Sequence, residues 1–303
     1  MARNISSRLP GQVLVLCLLV TTCLFLFYAA NRTTARDDST AVPIPMMIAV
    51  NSSYIETEVI FTEKCRNAKP QAGEGHEIHN KFVDDILDRK AIWLDVPGDK
   101  RDNDGWGNFA PEINRLFPKV FETSKSDIFR IIEIGSFKGR STIAMAKHCA
   151  FLATQYNKTC QIIAVDTWLS SPEHVERKLK DIKQMYQIFL NNIKFENLTD
   201  IITPFRMPST GAAHVFHCFH ITADVLFVDS YHEYFHVLTE LKMYYPLVRE
   251  NGLLFGDDYT SWKGVTKAVD DFANLIGNDV HHEGTTWSMF KTDEKPRFIA
   301  KYS

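Results

Sequence analysis

From residue 128 onward the chain alternates between two hydrophobic patterns. Short apolar runs, IFRIIEIG, QIIAVDTW, IITPF, ADVLFVD and GLLFGDD, read as buried strands. The longer stretches between and after them, RSTIAMAKHCAFLATQY, SPEHVERKLKDIKQMYQIFLNNI, STGAAHVFHCF, EYFHVLTELKMYYPLV and KGVTKAVDDFANLIG, predict helices. Ser171 can cap the second of these, with Pro172 in its first turn. TTWSMFK and RFIAKYS predict two closing strands. Strands alternating with helices in this way predict an α/β fold: a mostly parallel sheet with helices on both faces. Ligands of such sheets bind at the carboxyl ends of the strands. Acids gather at those ends here: Glu133, then Asp166, then Asp229, then Asp257 and Asp258.

The first hundred residues follow no such rhythm. Val13 to Ala30 is an uncharged run of 18 residues, just long enough to cross a bilayer as a helix. Arg3 and Arg8 precede it and Arg32 and Arg36 follow, so the α-amino group tips the N-terminus toward the cytosol. The alternative is a cleaved signal peptide and a secreted product, which Tyr28 in FYAA disfavours because a small residue is preferred there. Either reading sends the rest of the chain into the secretory lumen. The expected division is a cytosolic tail over 1–12, a signal anchor over 13–30, a stem and N-terminal extension over 31–104 and the folded domain over 105–303. The resulting expectation is a single-pass type II membrane protein of the ER or Golgi.

Composition changes this picture little. Of 303 residues, 45% are apolar, ample for a core. A net charge of −3 and a pI near 6.4 give no electrostatic footprint for nucleic acid. Asn31, Asn51, Asn157 and Asn197 each open an Asn-x-Ser/Thr glycosylation triplet, a form that also arises by chance. Outside the apolar run stand Cys65, Cys149, Cys160 and Cys218. Cys149 and Cys160 flank a helix end and the next strand and are the first candidate pair, with free buried thiols as the alternative.

The chemistry begins at EIGSFKGRS, a strand–loop–helix junction. Gly135 and Gly139 permit a tight turn and close approach of a ligand. The dinucleotide pattern G-x-G-x-x-G is not met, since Phe occupies position 137. Asp166, ending the next strand, is placed for ribose hydroxyls. Glu133 beneath the loop can pair with an ammonium group, so a ligand with an amino-acid end and a ribose fits best. At GDDY, two adjacent carboxylates end a buried run and call for a cation.

These stretches resemble the class I S-adenosylmethionine-dependent methyltransferases. EIGSFKGRSTIAMA is similar to the cofactor loop of the metal-dependent O-methyltransferases. ADVLFVDSYHEYFHVLTELKMYYPLVRENGLLFGDDY resembles their macrocin-type branch and, more distantly, catechol and caffeoyl-CoA O-methyltransferases. The resemblance implies a Rossmann-like fold and methyl transfer to the hydroxyl of a small molecule or glycan. It implies that Glu133, Gly135, Ser136, Gly139 and Ser141 line the methionine end of the cofactor and that Asp166 holds its ribose. Trp168 is placed to touch the adenosine. Asp229, Asp257 and Asp258 would bind a divalent metal, expected to be Mg²⁺ from the hard oxygen donors, and His232 would be the general base. RMPS, after IITPF, lacks the acid that would meet adenine. Trp106, Trp168 and Trp262 flank the expected cleft, with core packing as the default for each. His174, His214, His217, His220, His281 and His282 read as surface or packing residues. Two other classes stay open. One is a non-catalytic membrane-anchored binding domain. The other is a Golgi-type glycosyltransferase, although GDDY is not the Asp-x-Asp motif common there. A homodimer is compatible with everything above.

Overall fold

The computed structural model describes residues 79–292, apart from Asn103, Trp106, Arg177 and residues 180–181. The apolar run 13–30, Cys65, the triplets at Asn31 and Asn51, and RFIAKYS lie outside the described residues. Among the described residues no helix is long and apolar enough to cross a membrane.

Seven strands form one sheet: β1 Ile128–Ile134, β2 Thr159–Asp166, β3 Ile202–Arg206, β4 Ala223–Val228, β5 Val248–Gly256, β6 His281–Glu283 and β7 Thr286–Phe290. Their order is β3-β2-β1-β4-β5-β7-β6. The first five are mutually parallel, and β7 runs antiparallel to both β5 and β6. After a π-helical turn at Lys81–Ile86 and a short helix at Arg89–Ile92, the α-helices are α1 Ala110–Thr123, α2 Arg140–Gln155, α3 Pro172–Glu176, α4 Met185–Phe195, α5 Ser209–Cys218, α6 Tyr234–Tyr244 and α7 Lys263–Ile276.

Alternation along β1 explains why both faces are covered. Phe129 and Ile131 pack with Phe117, Val120, Met145 and Phe189 from α1, α2 and α4. Ile132 and Ile134 pack with Phe216, Leu241 and Phe272 from α5, α6 and α7. All seven residues of β1 are buried, as a central parallel strand requires. Phe82 and Val83 belong to the second layer, so residues read as stem take part in the core. Cys149 and Cys160 form a disulfide with Cα atoms 5.9 Å apart, joining α2 to the start of β2. Cys218 is also disulfide-bonded.

Three elements differ from the pattern reading. Helix α1 was not anticipated, although Ile113, Leu116, Phe117, Val120 and Phe121 form one buried stripe at helical spacing; Pro118 inside it breaks the visual pattern without ending the helix. The long helix expected from Pro172 stops at Glu176, and α4 restarts only at Met185. The stretch between is dominated by charges, and a helix without an apolar stripe to pack has little to sustain it. Strand β6, HHE, is exposed along its whole length and leaves no hydrophobic signature.

Candidate active site

Strand order reverses between β1 and β4: the chain leaves β1 toward β2 on one side, while β4 leads to β5 on the other. That reversal opens a crevice at the carboxyl ends. A cavity of about 570 Å³ occupies it.

The wall formed by β1 and β2 is self-satisfied. Gly135, Phe137 and Gly139 adopt left-handed φ of 85°, 47° and 87°, which folds the loop back over β1. A Cβ on Gly135 would sit 1.8 Å from the carbonyl oxygen of Asp229, so no other residue fits. Glu133 is completely buried and accepts hydrogen bonds from the hydroxyls of Ser136 (2.8 Å), Ser141 (2.6 Å) and Thr142. Burial raises its carboxyl to about 7, against the pull of those three donors. Asp166 Oδ2 accepts from the backbone N–H groups of Ser136 (3.0 Å) and Phe137 (2.9 Å), and Oδ1 from that of Trp168 (2.7 Å). The Trp168 indole donates to the Phe137 carbonyl at 2.7 Å and packs on Tyr186 and Phe189. Gly135, Ser136, Ser141 and Asp166 therefore line the cavity. Glu133, Gly139 and Trp168 stand behind the wall and hold it; Trp168 is only 2% exposed and braces the loop instead of facing the cavity.

A strap from upstream closes over this loop, foreshadowed only by its turn-rich residues. Lys138 is buried and pairs with Asp102 (2.7 Å) and Asp104 (3.3 Å). The Asn192 side chain accepts from the Asp102 N–H at 2.7 Å and donates to the Lys138 carbonyl at 2.8 Å. Arg140 donates to the carbonyl of Gly105 at 2.8 Å, which sets Gly105 on the cavity rim.

The wall formed by β4 and β5 is built differently. Asp229, His232 and Asp258 each aim one ligand atom into a group whose members lie within 4.8 Å of one another. His232 Nε2 is 2.8 Å from Asp258 Oδ2 and 3.7 Å from Asp229 Oδ1, yet this buried nitrogen has no well-directed hydrogen bond. Its Nδ1 meets Glu173 Oε2 at 3.0 Å, and its ring stacks on Trp262 at 4.9 Å. Burial disfavours charge on the imidazole, but the carboxylates of Asp229, Asp258 and Glu173 outweigh that and raise it to about 10. Burial, with Asp257 and Asp258 adding repulsion, raises Asp229 to about 6 despite His232. Asp258 takes a left-handed φ of 65°. Asp257 also lines the cavity, but one of its oxygens accepts from the Thr285 hydroxyl, and it stands outside the tight group.

The remaining wall carries Met207, Pro208, Ser209 and Thr210, with no carboxylate in that segment. Glu240, fully buried, faces the same cavity, held by Ser230 (2.6 Å) and His236 (3.0 Å). Sequence reasoning missed Glu173 and Glu240 because both sit within helical patterns that look like solvated faces. His174 lines the cavity too, although it read as a packing residue. Trp106 lies outside the described residues.

Residues 132–259 match a family model described as a methyltransferase domain. Over those residues the chain carries a methyltransferase domain. Its sheet order and the loop after β1 suit that family. Among solved structures, it is similar to the calicheamicin methyltransferase CalS11, at 13% identity and TM-score 0.46, over 78% of this chain and 91% of that one. It is similar to the O-methyltransferase NovP at 13% identity and TM-score 0.45, over 79% and 99%. A Bacillus cereus O-methyltransferase in complex with SAH gives 15% identity and TM-score 0.40, over 78% and 100%. Likeness at that level assigns no substrate or residue role to this chain. No curated protein matches it in sequence.

Proposed function

We propose that this methyltransferase acts on oxygen, transferring a methyl group to the hydroxyl of a small molecule or sugar with help from a divalent metal. The observation that carries the reading is the wall of β4 and β5. Asp229, Asp258 and His232 converge there, and a buried His232 nitrogen lacks a directed partner. Two carboxylates with a third, Asp257, beside them make a hard-donor set that suits Mg²⁺. When bound, such an ion would lower the pKa of an acceptor hydroxyl, and S-adenosylmethionine supplies an electrophilic methyl group.

The chain's own residues do the rest. Gly135, Ser136 and Ser141 present backbone and hydroxyl groups to the methionine end of the cofactor. Asp166 fixes the loop and leaves its oxygens' remaining lone pairs toward the ribose. Glu173, on Nδ1 of His232, orients the ring so that Nε2 faces the cavity, as a proton acceptor requires. A cation held by Asp229 and Asp258 would offset the negative charge that keeps the imidazole protonated, and the neutral His232 ring would then take the proton from the acceptor hydroxyl. A second reading makes His232 a metal ligand, because Nε2 lies inside the same tight group as the carboxylates.

The remaining expectations belong to the same proposal: an anchor over residues 13–30, a lumenal domain carrying glycans, and a homodimer as the assembly to look for. The Cys149–Cys160 disulfide supports an oxidising compartment. Calorimetric titration of the full chain with S-adenosylmethionine, with and without Mg²⁺, tests the core of it. Release of S-adenosylhomocysteine is then screened over a panel of hydroxylated small molecules and glycans. Binding of cofactor with turnover that EDTA abolishes is expected. Turnover untouched by EDTA overturns the metal, and no cofactor binding returns the chain to the non-catalytic class.

A further inference from the structure

The edge of the sheet opposite the cavity carries features that methyl transfer does not use. Asn157 lies in the turn between α2 and β2, and Asn197 in the turn after α4, ahead of β3. Both are exposed. Strands β2 and β3 run parallel from this edge toward the active site, so both asparagines sit at the far end from Asp166. Each is followed two positions later by threonine, as an N-glycan acceptor requires.

The two turns differ in one respect. Asn197 has a left-handed φ of 55°, and the N–H of Leu198 reaches back to the Ile193 carbonyl at 3.2 Å, closing the end of α4. Two residues before it, Phe195 is 46% exposed, one of seven large apolar side chains left open to solvent among the described residues. Asn157 also has a left-handed φ, of 50°, but the residue two before it is Gln155. An exposed aromatic ring gains when an apolar surface covers it. The C–H face of a pyranose ring attached two residues away is such a surface.

We infer that Asn197 is an N-glycosylation site whose first N-acetylglucosamine packs on Phe195, and that Asn157 is a second acceptor without that platform. The inference rests on the lumenal placement proposed above. The donor is a polyprenyl-pyrophosphate-linked oligosaccharide. The Asn197 amide nitrogen bonds to the anomeric carbon, the bond from that carbon to the pyrophosphate oxygen breaks, the polyprenyl pyrophosphate leaves and the amide gives up one proton. Position supports the assignment: glycans at this edge leave the cavity mouth clear.

The test uses the full chain expressed in cultured animal cells. Peptide N-glycosidase treatment in heavy-oxygen water converts each occupied asparagine to labelled aspartate, and peptide mass spectrometry reads the occupancy of each site. Expected are high occupancy at Asn197, lower occupancy at Asn157, loss of the Asn197 signal alone in Thr199→Ala, and a several-fold rise in unoccupied Asn197 in Phe195→Ala. Phe195→Tyr is expected to restore the wild-type level. An unmodified Asn197 in protein whose Cys149–Cys160 disulfide is closed overturns the site while leaving lumenal placement standing. Unmodified asparagines together with reduced Cys149 and Cys160 overturn lumenal placement and the site with it. Equal occupancy in wild type and Phe195→Ala overturns the role of the ring.

Discussion

The two halves of the cavity wall solve the same problem in opposite ways. Both place carboxylates at the ends of buried parallel strands. On the β1–β2 side each acid is answered within the protein: Glu133 by three hydroxyls and Asp166 by three backbone N–H groups. On the β4–β5 side Asp229 and Asp258 share one histidine, with Asp257 beside them, and burial and mutual repulsion raise Asp229 to about 6. The first half is a finished scaffold that needs no ion to be stable. The second is an arrangement of like charge that a cation would relieve. Buried charge that the fold leaves uncompensated is where a ligand of opposite charge should be sought.

The sharpest way to break this contrast is to remove an acid from each side. Asp229→Ala or Asp258→Ala should lower turnover by about 10³-fold or more, because metal assistance contributes several kcal/mol to the barrier. The double variant should be little worse than either single one, since both act through one ion. Mn²⁺ binding read by paramagnetic resonance should fall with turnover. If either single variant keeps wild-type metal affinity, the two halves are not different in the way described.

The histidine comes next. His232→Ala should lower turnover by roughly 10²-fold, the lower part of the range for a general base, while Mn²⁺ affinity stays within a few-fold. A matching collapse of metal affinity selects the ligand reading instead. Glu173→Gln should show a smaller loss in the same parameter, kcat, with KM for the cofactor unmoved, because Glu173 acts only through the ring it holds.

How much of this was legible beforehand follows from the same contrast. The five parallel strands and their terminal acids could be read, because buried strands are continuous apolar runs and their ends are abrupt. So could the disulfide between Cys149 and Cys160, from its position at a helix–strand junction. What an acid does once placed was not legible. Asp166 lines the cavity and also accepts from three loop amides, and Trp168 is buried beneath that loop, contacts within the protein that no sequence pattern displays. Glu173 and Lys138 were hidden because their partners, His232, Asp102 and Asp104, lie 34 to 59 residues away in sequence. Helix α1 was missed for a different reason: its apolar stripe was present, but Pro118 interrupted it to the eye.

A smaller effect distinguishes the halves by pH. Glu133 titrates near 4.5 when unfolded and near 7 when folded. Between those values the folded protein keeps a proton that the unfolded chain has released, so stability falls as pH rises through that window. The loss is on the order of 3 kcal/mol by pH 7. Asp229, displaced from 3.8 to about 6, adds loss of the same sign at lower pH. Urea denaturation of metal-free protein at pH 5 and pH 7.5 should show the drop. Glu133→Gln should flatten the Glu133 share, and Mg²⁺ should restore stability at pH 7.5 far more than at pH 5. A metal-free protein equally stable at both values contradicts the raised carboxyls on both sides.

The smallest expected effect concerns the strap, which belongs to the finished half. Asp102 is partly buried, which alone would raise its carboxyl, but the hydrogen bond and charge of Lys138 prevail and hold it below the usual range. Its stabilising contribution is therefore present above the unfolded value of 3.8 and fades only as pH falls through the lower folded value. Asp102→Asn keeps the shape and removes the charge opposite Lys138, which is buried and retains Asp104, itself exposed, as its other partner. A hydrogen bond to a charged group in that setting is worth about 1.5 kcal/mol. Lys138 sits in the loop between Gly135 and Gly139, so loosening it should appear in cofactor affinity: Kd for S-adenosylmethionine rising about tenfold, with Mn²⁺ affinity unchanged. That split is the point of the measurement. If Asp102→Asn instead weakens the metal and spares the cofactor, the strap serves the β4–β5 wall, and the division of the cavity into two independent halves is wrong.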